Sequence, residues 1–522
     1  MMSTESLTRA GLLRRGAGLA GVMTLGPGAL EAILAQPAAA ARLSGLAGGT
    51  LTAAIAGDPK TMDPHRTTLA VFHNTIRVAV FDALVKIDAN LRFAPSLARS
   101  WQITPETVTF RLQRGVTFHD GTPFDAKAVA FNIKRIKAKA TASNYAPNVA
   151  TVSRVEVQDP YTVVFHLNAP TPAILANLLE VQLISPASVE TVDKKPVGTG
   201  PFMFQEWKPG DHITIVKNPK YFVKGQPYLD SIVFKTVPDA QVRLTNLQTG
   251  AVQMVDGLEP KDVKAVSGYS SARVIQSKPI LNYVMLQINT KQAPFDDKRV
   301  RQALSWAFDR NGYVKSFYGG LARTGCNPFV KEMKEYLPGS DGRYKYDLVK
   351  AAALLAQAGF TKSSPLEMEI LNPAGYPTLK AVSLLYQSAL GGLGHKVKVT
   401  DLELSAWIDR IANKPDFDVT TDVYEMRGPD PTGMFNSDNL APKGNINQFN
   451  PPGYEALVTG AATETNPAKR IARYRQLQNY LLDEMPMITI CHTPILIGAS
   501  KKLQGFSPGS TGLYEYAPAK LV

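Results

Sequence analysis

LEMEILNPAGYPTLKAVSLLYQSALGGLGHKVKVTDL, residues 366–402, is the stretch whose reading decides the fold. Residues 366–372 form a short, mostly apolar run with strand character. Residues 378–390 carry a helix pattern, and in 396–402 Val397 and Val399 alternate with lysines and so face inward. Strand, helix and strand within so short a span make a βαβ unit, and the unit places the chain in the α/β class.

Downstream, residues 417–426 give another strand that runs into a turn at 427–431, and a final helix over 467–483 stacks Ile471, Tyr474, Leu477 and Leu481. Upstream, Asp297 starts a long helix with Val300, Ala303, Leu304, Ala307 and Phe308 on one face. Asp347 caps another helix that buries Leu348, Ala352 and Leu355 and stops at Gly359. The apolar run YVMLQIN (283–289) closes a strand-rich segment, 200–288.

Nearer the N-terminus, Val108, Phe110 and Leu112 alternate with polar residues. Asp120–Gly121 turns the chain, and Asp125 caps a helix carrying Val129, Ile133 and Ile136. A hairpin then turns at Asp159–Pro160 and returns through Val163, Phe165 and Leu167. The expected organisation is a first lobe from 42–72, 200–288 and 490–522, an α+β subdomain at 73–199 inserted in it, and a second lobe at 289–489. Two lobes joined by a few crossing strands leave a cleft, a preferred place for ligands.

With 522 residues, 44% hydrophobic and 19% charged, the composition is that of a folded chain of two or three domains. No uninterrupted apolar run approaches the roughly eighteen residues of a membrane-spanning helix. Residues 1–41 read as a signal peptide: Arg9, Arg14 and Arg15, then a weakly apolar stretch, then the small-residue cluster QPAAAA (36–41). The Arg14–Arg15 pair leans toward twin-arginine export. Removing this segment takes away three Arg and two Glu, so a net charge of +13 becomes +12. The cations are scattered. The densest group, Lys134, Arg135, Lys137 and Lys139, fits the solvated face of one helix, with no aromatic-interleaved basic motif for nucleic acid. Cys326 and Cys491 are compatible with one bridge in an oxidising compartment, and spacing alone does not say whether they meet.

Catalytic chemistry finds little support. The seven histidines show no metal-ligand spacing, and His119 reads as a structural residue at a strand end. GFSPG (505–509) fits the G-x-S-x-G pattern formally, but Pro508 lacks the N–H an oxyanion hole needs, so it reads as a turn. The expectation is no enzyme, no cofactor and no bound metal.

The residues in order resemble the bacterial extracellular solute-binding proteins of family 5, which serve peptide- and nickel-type ABC importers. The resemblance rests on Asp63–Pro64, VFDALVKID (80–88), PSLARSW (95–101), RLQRGVTFHDGTPF (111–124), GTGPF (198–202), Trp207 and NPKYFVKGQPYLD (218–230). It continues through NTKQAPFDDKRVRQALSWAFDR (289–310), YDLVKAAALLAQAGF (346–360) and Asp430–Pro431, so it spans about residues 50–500. It implies the two-lobe periplasmic binding protein fold of the cluster C type, with an extra α+β subdomain in the first lobe. It also implies a periplasmic monomer that closes on a small-molecule ligand and docks on an ABC permease driven by a separate ATPase.

In the peptide-binding members that the chain resembles, an aspartate four residues before the proline of the second-lobe DP holds the peptide ammonium. Arg427 stands there in this chain. A guanidinium repels an ammonium and binds a carboxylate or phosphate bidentately, which points to an anionic or zwitterionic solute. The alternative is that Arg427 pairs with Asp430 or another local acid. The dipeptide binders' carboxylate-holding arginine after a second-lobe strand is also missing, since 372–375 is Asn-Pro-Ala-Gly. Trp407 matches a ligand-packing tryptophan of related proteins, with a core role as its alternative. The resemblance places Tyr424, Asp430, Thr67, Thr68 and Phe72 near the cleft. Rival readings are an oligosaccharide or metal-chelate binder of the same class, a secreted hydrolase, and a folding helper for exported chains.

Overall fold

The computed structural model describes residues 48–426, 428–509 and 512–522. The segment read as a signal peptide and Arg427 both lie outside the described residues. Three sheets organise the rest.

The first, seven-stranded, runs in the spatial order Ala272–Gln276, Leu496–Ser500, Met254–Val255, Thr50–Ile55, Ser231–Thr236, His212–Lys217, Phe202–Lys208. The second, four-stranded, runs Ala98–Ile103, Thr107–Leu112, Thr162–Leu167, Val152–Asp159, all antiparallel. The third, six-stranded, runs Arg323–Thr324, Met487–Thr493, Asn282–Ile288, Val419–Tyr424, Glu367–Pro373, Lys396–Leu402.

The βαβ unit forms in this third sheet. Glu367–Pro373 lies parallel to Lys396–Leu402 with Ile370 opposite Val399, and the helix Pro377–Gly392 crosses between them. Val397 is buried in the same core cluster as Met368, Ile370 and Val382. The anticipated aspartate caps are present: Asp125 accepts from the Ala128 N–H, Asp297 from Arg299 and Asp347 from Lys350. The long helix expected after Asp297 instead stops at Trp306, and Asp309 caps a second one, Arg310–Tyr318.

Two expected lobe boundaries shift. Asn282–Ile288, placed in the first lobe by sequence, belongs to the six-stranded sheet, paired with Val419–Tyr424 on one edge and Met487–Thr493 on the other. All its residues but the first are buried, so both edges and both faces need partners. Met487–Thr493 likewise carries the second-lobe sheet past residue 490. The inserted part also begins and ends further in: its core is drawn from residues 84–183, whereas Ile76, Ala79, Val80, Phe81, Ile184 and Val192 pack under the seven-stranded sheet.

The chain crosses between the two large sheets after Gln276 and after Thr493. These crossings lie side by side: the Ser277 N–H donates to the Ile495 carbonyl (3.0 Å), and the Ile495 N–H donates to Ser277 Oγ (2.9 Å). GTGPF has a steric cause. A Cβ on Gly198 would stand 2.1 Å from the Val80 carbonyl oxygen, and one on Gly200 would stand 2.5 Å from the Val80 carbonyl carbon. His119 staples the same segment, with Nε2–H donating to the Gly200 carbonyl (2.9 Å) and Nδ1 accepting from the Gly198 N–H (3.4 Å). Burial pushes its pKa down to about 4, so the ring is neutral.

Candidate ligand-binding cleft

A cavity of about 700 Å³ opens between the inserted part of the first lobe and residues 422–439 of the second. Its first-lobe wall includes Thr68, Asn144, Tyr145, Asn148 and Glu180; its second-lobe wall includes Asp422, Tyr424, Glu425, Asp430 and Asp438. The lobes come close beside it, where a Cβ added to Gly428 would just meet Leu179 Cδ1 at 3.6 Å.

The first-lobe wall is held from behind by a buried cation. The turn His73–Arg77 delivers Arg77, whose side chain is fully buried and donates from Nη1 to Glu180 (3.1 Å). The same nitrogen reaches His73 Nδ1 (3.5 Å), so His73 Nε2–H is the donor to Tyr145 Oη (2.8 Å). Tyr145 O–H in turn donates to the Thr67 carbonyl (3.0 Å), and the Arg77 guanidinium lies over its ring. The chain of bonds fixes the aromatic ring and the carboxylate in one orientation, which lowers the entropy cost of binding.

On the other wall, the strand Val419–Tyr424 presents Asp422. Its carboxylate accepts from Gln287 Nε2 (2.7 Å), has no cationic partner among the described residues, and keeps part of its surface open. Burial, aided by the charge of Asp438, pushes its pKa up to about 7. Tyr283 lies against Tyr424 with ring centroids 5.1 Å apart. Asp430 is committed elsewhere: it accepts from Arg470 Nη2 (2.8 Å) and from the Thr432 N–H (2.9 Å). The described part of the wall thus carries five carboxylates and no Lys, Arg or His. Glu180 and Asp430 are offset by the buried Arg77 and Arg470, so the attraction for a positively charged group of the ligand rests on Asp422 in its ionised form.

Of the residues expected at the site, Tyr424, Asp430 and Thr68 line the cavity. Arg427, outside the described residues, is flanked by Met426 and Gly428, which both line it. Trp407 does not: it packs with Leu371, Ile411, Phe417 and Ile446, and its indole N–H donates to Thr420 Oγ1 (2.8 Å), so it is a satisfied core residue. Phe72 is fully buried in the first-lobe core. Thr67 is buried behind Tyr145, where Oγ1 accepts from the Leu69 N–H. Sequence reasoning missed Tyr145, Asn144, Asn148, Glu180, Asp422 and Asp438. Only Asp422, an acid in the middle of the strand Val419–Tyr424, left a readable signal.

A smaller cavity, about 330 Å³, lies among Lys86, Tyr221 and Glu515 and, among the described residues, is lined by none of the second lobe. Its Asp82 is used internally, accepting from Thr199 Oγ1 (2.8 Å) and Tyr221 Oη (3.4 Å). Ser507 of GFSPG sits at its rim and accepts from the Gly509 N–H (3.1 Å), closing a turn. Cys326 and Cys491 are buried free thiols.

Residues 92–445 match the family model of the bacterial extracellular solute-binding proteins, family 5 Middle. The chain belongs to this family. Among its relatives, this solute-binding protein is 26% identical over 510 residues to di/tripeptide-binding protein 2 of Pseudomonas aeruginosa, covering 90% of this chain and 95% of that one. Among solved structures it superposes on the periplasmic binding protein DppA of Helicobacter pylori in complex with the peptide STSA, with a TM-score of 0.78, 26% identity and coverage of 91% and 98%. It superposes equally well on AgaA in complex with agropinic acid from A. tumefacien R10: TM-score 0.78, 25% identity, coverage 91% and 99%. These likenesses establish the two-lobe binding-protein fold.

Proposed function

We propose that this protein is the solute-binding component of an ABC importer and that its solute is a small, peptide-like zwitterion. The amine is received by Asp422, and the acid by Arg427. The observation that carries this reading is the half-buried Asp422 carboxylate on the cavity wall, with no cationic partner among the described residues. A buried carboxylate without a cation is costly, and a solute ammonium removes that cost. A relative in complex with a peptide supports a solute with both kinds of group, and one in complex with agropinic acid supports the acid group. The chain works outside the cytoplasmic membrane after export through residues 1–41, by the twin-arginine route, and docks as a monomer on its permease.

A thermal-shift screen of di- and tripeptides, opine-like acids, sugars and metal chelates tests the reading, because a bound ligand raises apparent stability by mass action. Stabilisation by a free-amine zwitterion, lost when its amine is acetylated, is the expected result. Stabilisation by a neutral sugar, or equally by the acetylated compound, overturns it.

A further inference from the structure

A second contact joins the lobes away from the cleft. The hairpin Val85–Ile87 and Phe93–Pro95 is rooted in the core of the inserted part, where Val85 is buried and Ile87 and Phe93 pack. Its turn is tightly bonded. Asp88 Oδ1 accepts from the N–H groups of Asn90 (2.8 Å) and Arg92 (2.9 Å), and Oδ2 accepts from Arg92 Nε (2.9 Å). These bonds hold Leu91 at φ +61°, the left-handed region. That region suits glycine or asparagine and costs a leucine free energy.

The side chain of Leu91 does not join the core beneath its own hairpin. It packs on the second-lobe cluster that contains Met333, Met426 and Tyr474. Beside it, a cavity of about 380 Å³ separates the turn from Met333, Glu335, Pro429 and Asp430. Asp430 lines both this cavity and the ligand cleft, and Arg470 ties it (2.8 Å) to Glu335 (3.4 Å). The surface that receives Leu91 and the wall of the cleft are therefore one ion-paired unit.

An apolar side chain at a backbone position that disfavours it is a local conflict, and such conflicts persist where a tertiary contact outweighs them. We propose that Leu91 is a latch: a peg on the first lobe that seats in the second lobe only in the closed form and keeps that form populated before solute arrives. The latch rests on the reading that the lobes close over a solute. Its contact is apolar and uses neither Asp422 nor Arg427, so the two fail separately. Preseating the closed form raises apparent solute affinity in proportion to its population.

The test needs no solute. Spin labels at exposed Lys139 and Lys443, each replaced by cysteine, report the interlobe distance in the ligand-free chain by electron–electron resonance; the native thiols are buried. The wild type is expected to show a short-distance population. Leu91→Gly is expected to lower the closed-to-open ratio about tenfold, the effect of losing one partly buried leucine contact. Its melting temperature should stay within a few degrees of the wild type, because relief at φ +61° offsets part of the lost contact and of the added freedom of glycine in the unfolded chain. Unchanged distances in Leu91→Gly, or no short-distance population in the wild type, overturn the latch. Loss of the cooperative unfolding transition in Leu91→Gly makes Leu91 part of the first-lobe fold and overturns it too.

Discussion

Replacing Asp422 by asparagine keeps the shape of the side chain and removes its charge. Burial pushes the Asp422 carboxyl up to about 7, so below that pH it holds its proton. A solute ammonium requires the ionised form, and binding expels the proton. Affinity should therefore rise about tenfold per unit from pH 5 to 7 and level off above. Asp422→Asn should flatten that profile. At pH 8 it should lose a charge-assisted hydrogen bond of about 1.5–3 kcal/mol, on the order of 10- to 150-fold in affinity. Stability moves the other way. Because the folded pKa lies above the unfolded value, the folded chain binds more protons between about pH 4 and 7, and stability falls as pH rises through that window. The variant escapes this loss, so it should match the wild type near pH 4 and melt higher at pH 8. Calorimetric titration with the screened zwitterion at four pH values, and scanning calorimetry alongside, read both. A pH-independent wild type, or native affinity in Asp422→Asn at pH 8, refutes the assignment.

Arg427→Ala is expected to weaken the same zwitterion about 10- to 150-fold, with Arg427→Lys recovering part because it lacks the bidentate fork. A lowered melting point with affinity intact would instead mark a structural pair. Gly200→Ala forces a Cβ to 2.5 Å from backbone and should cost about 3 kcal/mol in urea unfolding; an unchanged midpoint would contradict the steric origin of GTGPF. Mass spectrometry of exported protein should give an N-terminus shortly after Ala38–Ala41, and a chain retaining Met1 would refute the signal reading.

Local rules carried far along this chain. The alternation at Val108, Phe110 and Leu112, the aspartate caps and the βαβ unit at 366–402 are written in short-range periodicity, and each forms as read. Sheet membership was not legible. A strand buried on both faces, such as Asn282–Ile288, has no alternation to show which sheet it joins. The cleft was legible in part, because its walls come from 144–180 and 422–439, brought together only by the fold. Trp407 shows the limit of reading one aromatic from likeness: its indole N–H finds Thr420, and that bond draws it into the core.

The most direct measurement is a structure of the protein with the solute selected by the screen. The solute's amine nitrogen is expected within about 2.7–2.9 Å of an Asp422 carboxylate oxygen, with its acid group on Arg427 and the lobes closed around it. An amine turned away from Asp422, or a solute seated in the cavity at Lys86, Tyr221 and Glu515, would contradict zwitterion capture in the cleft.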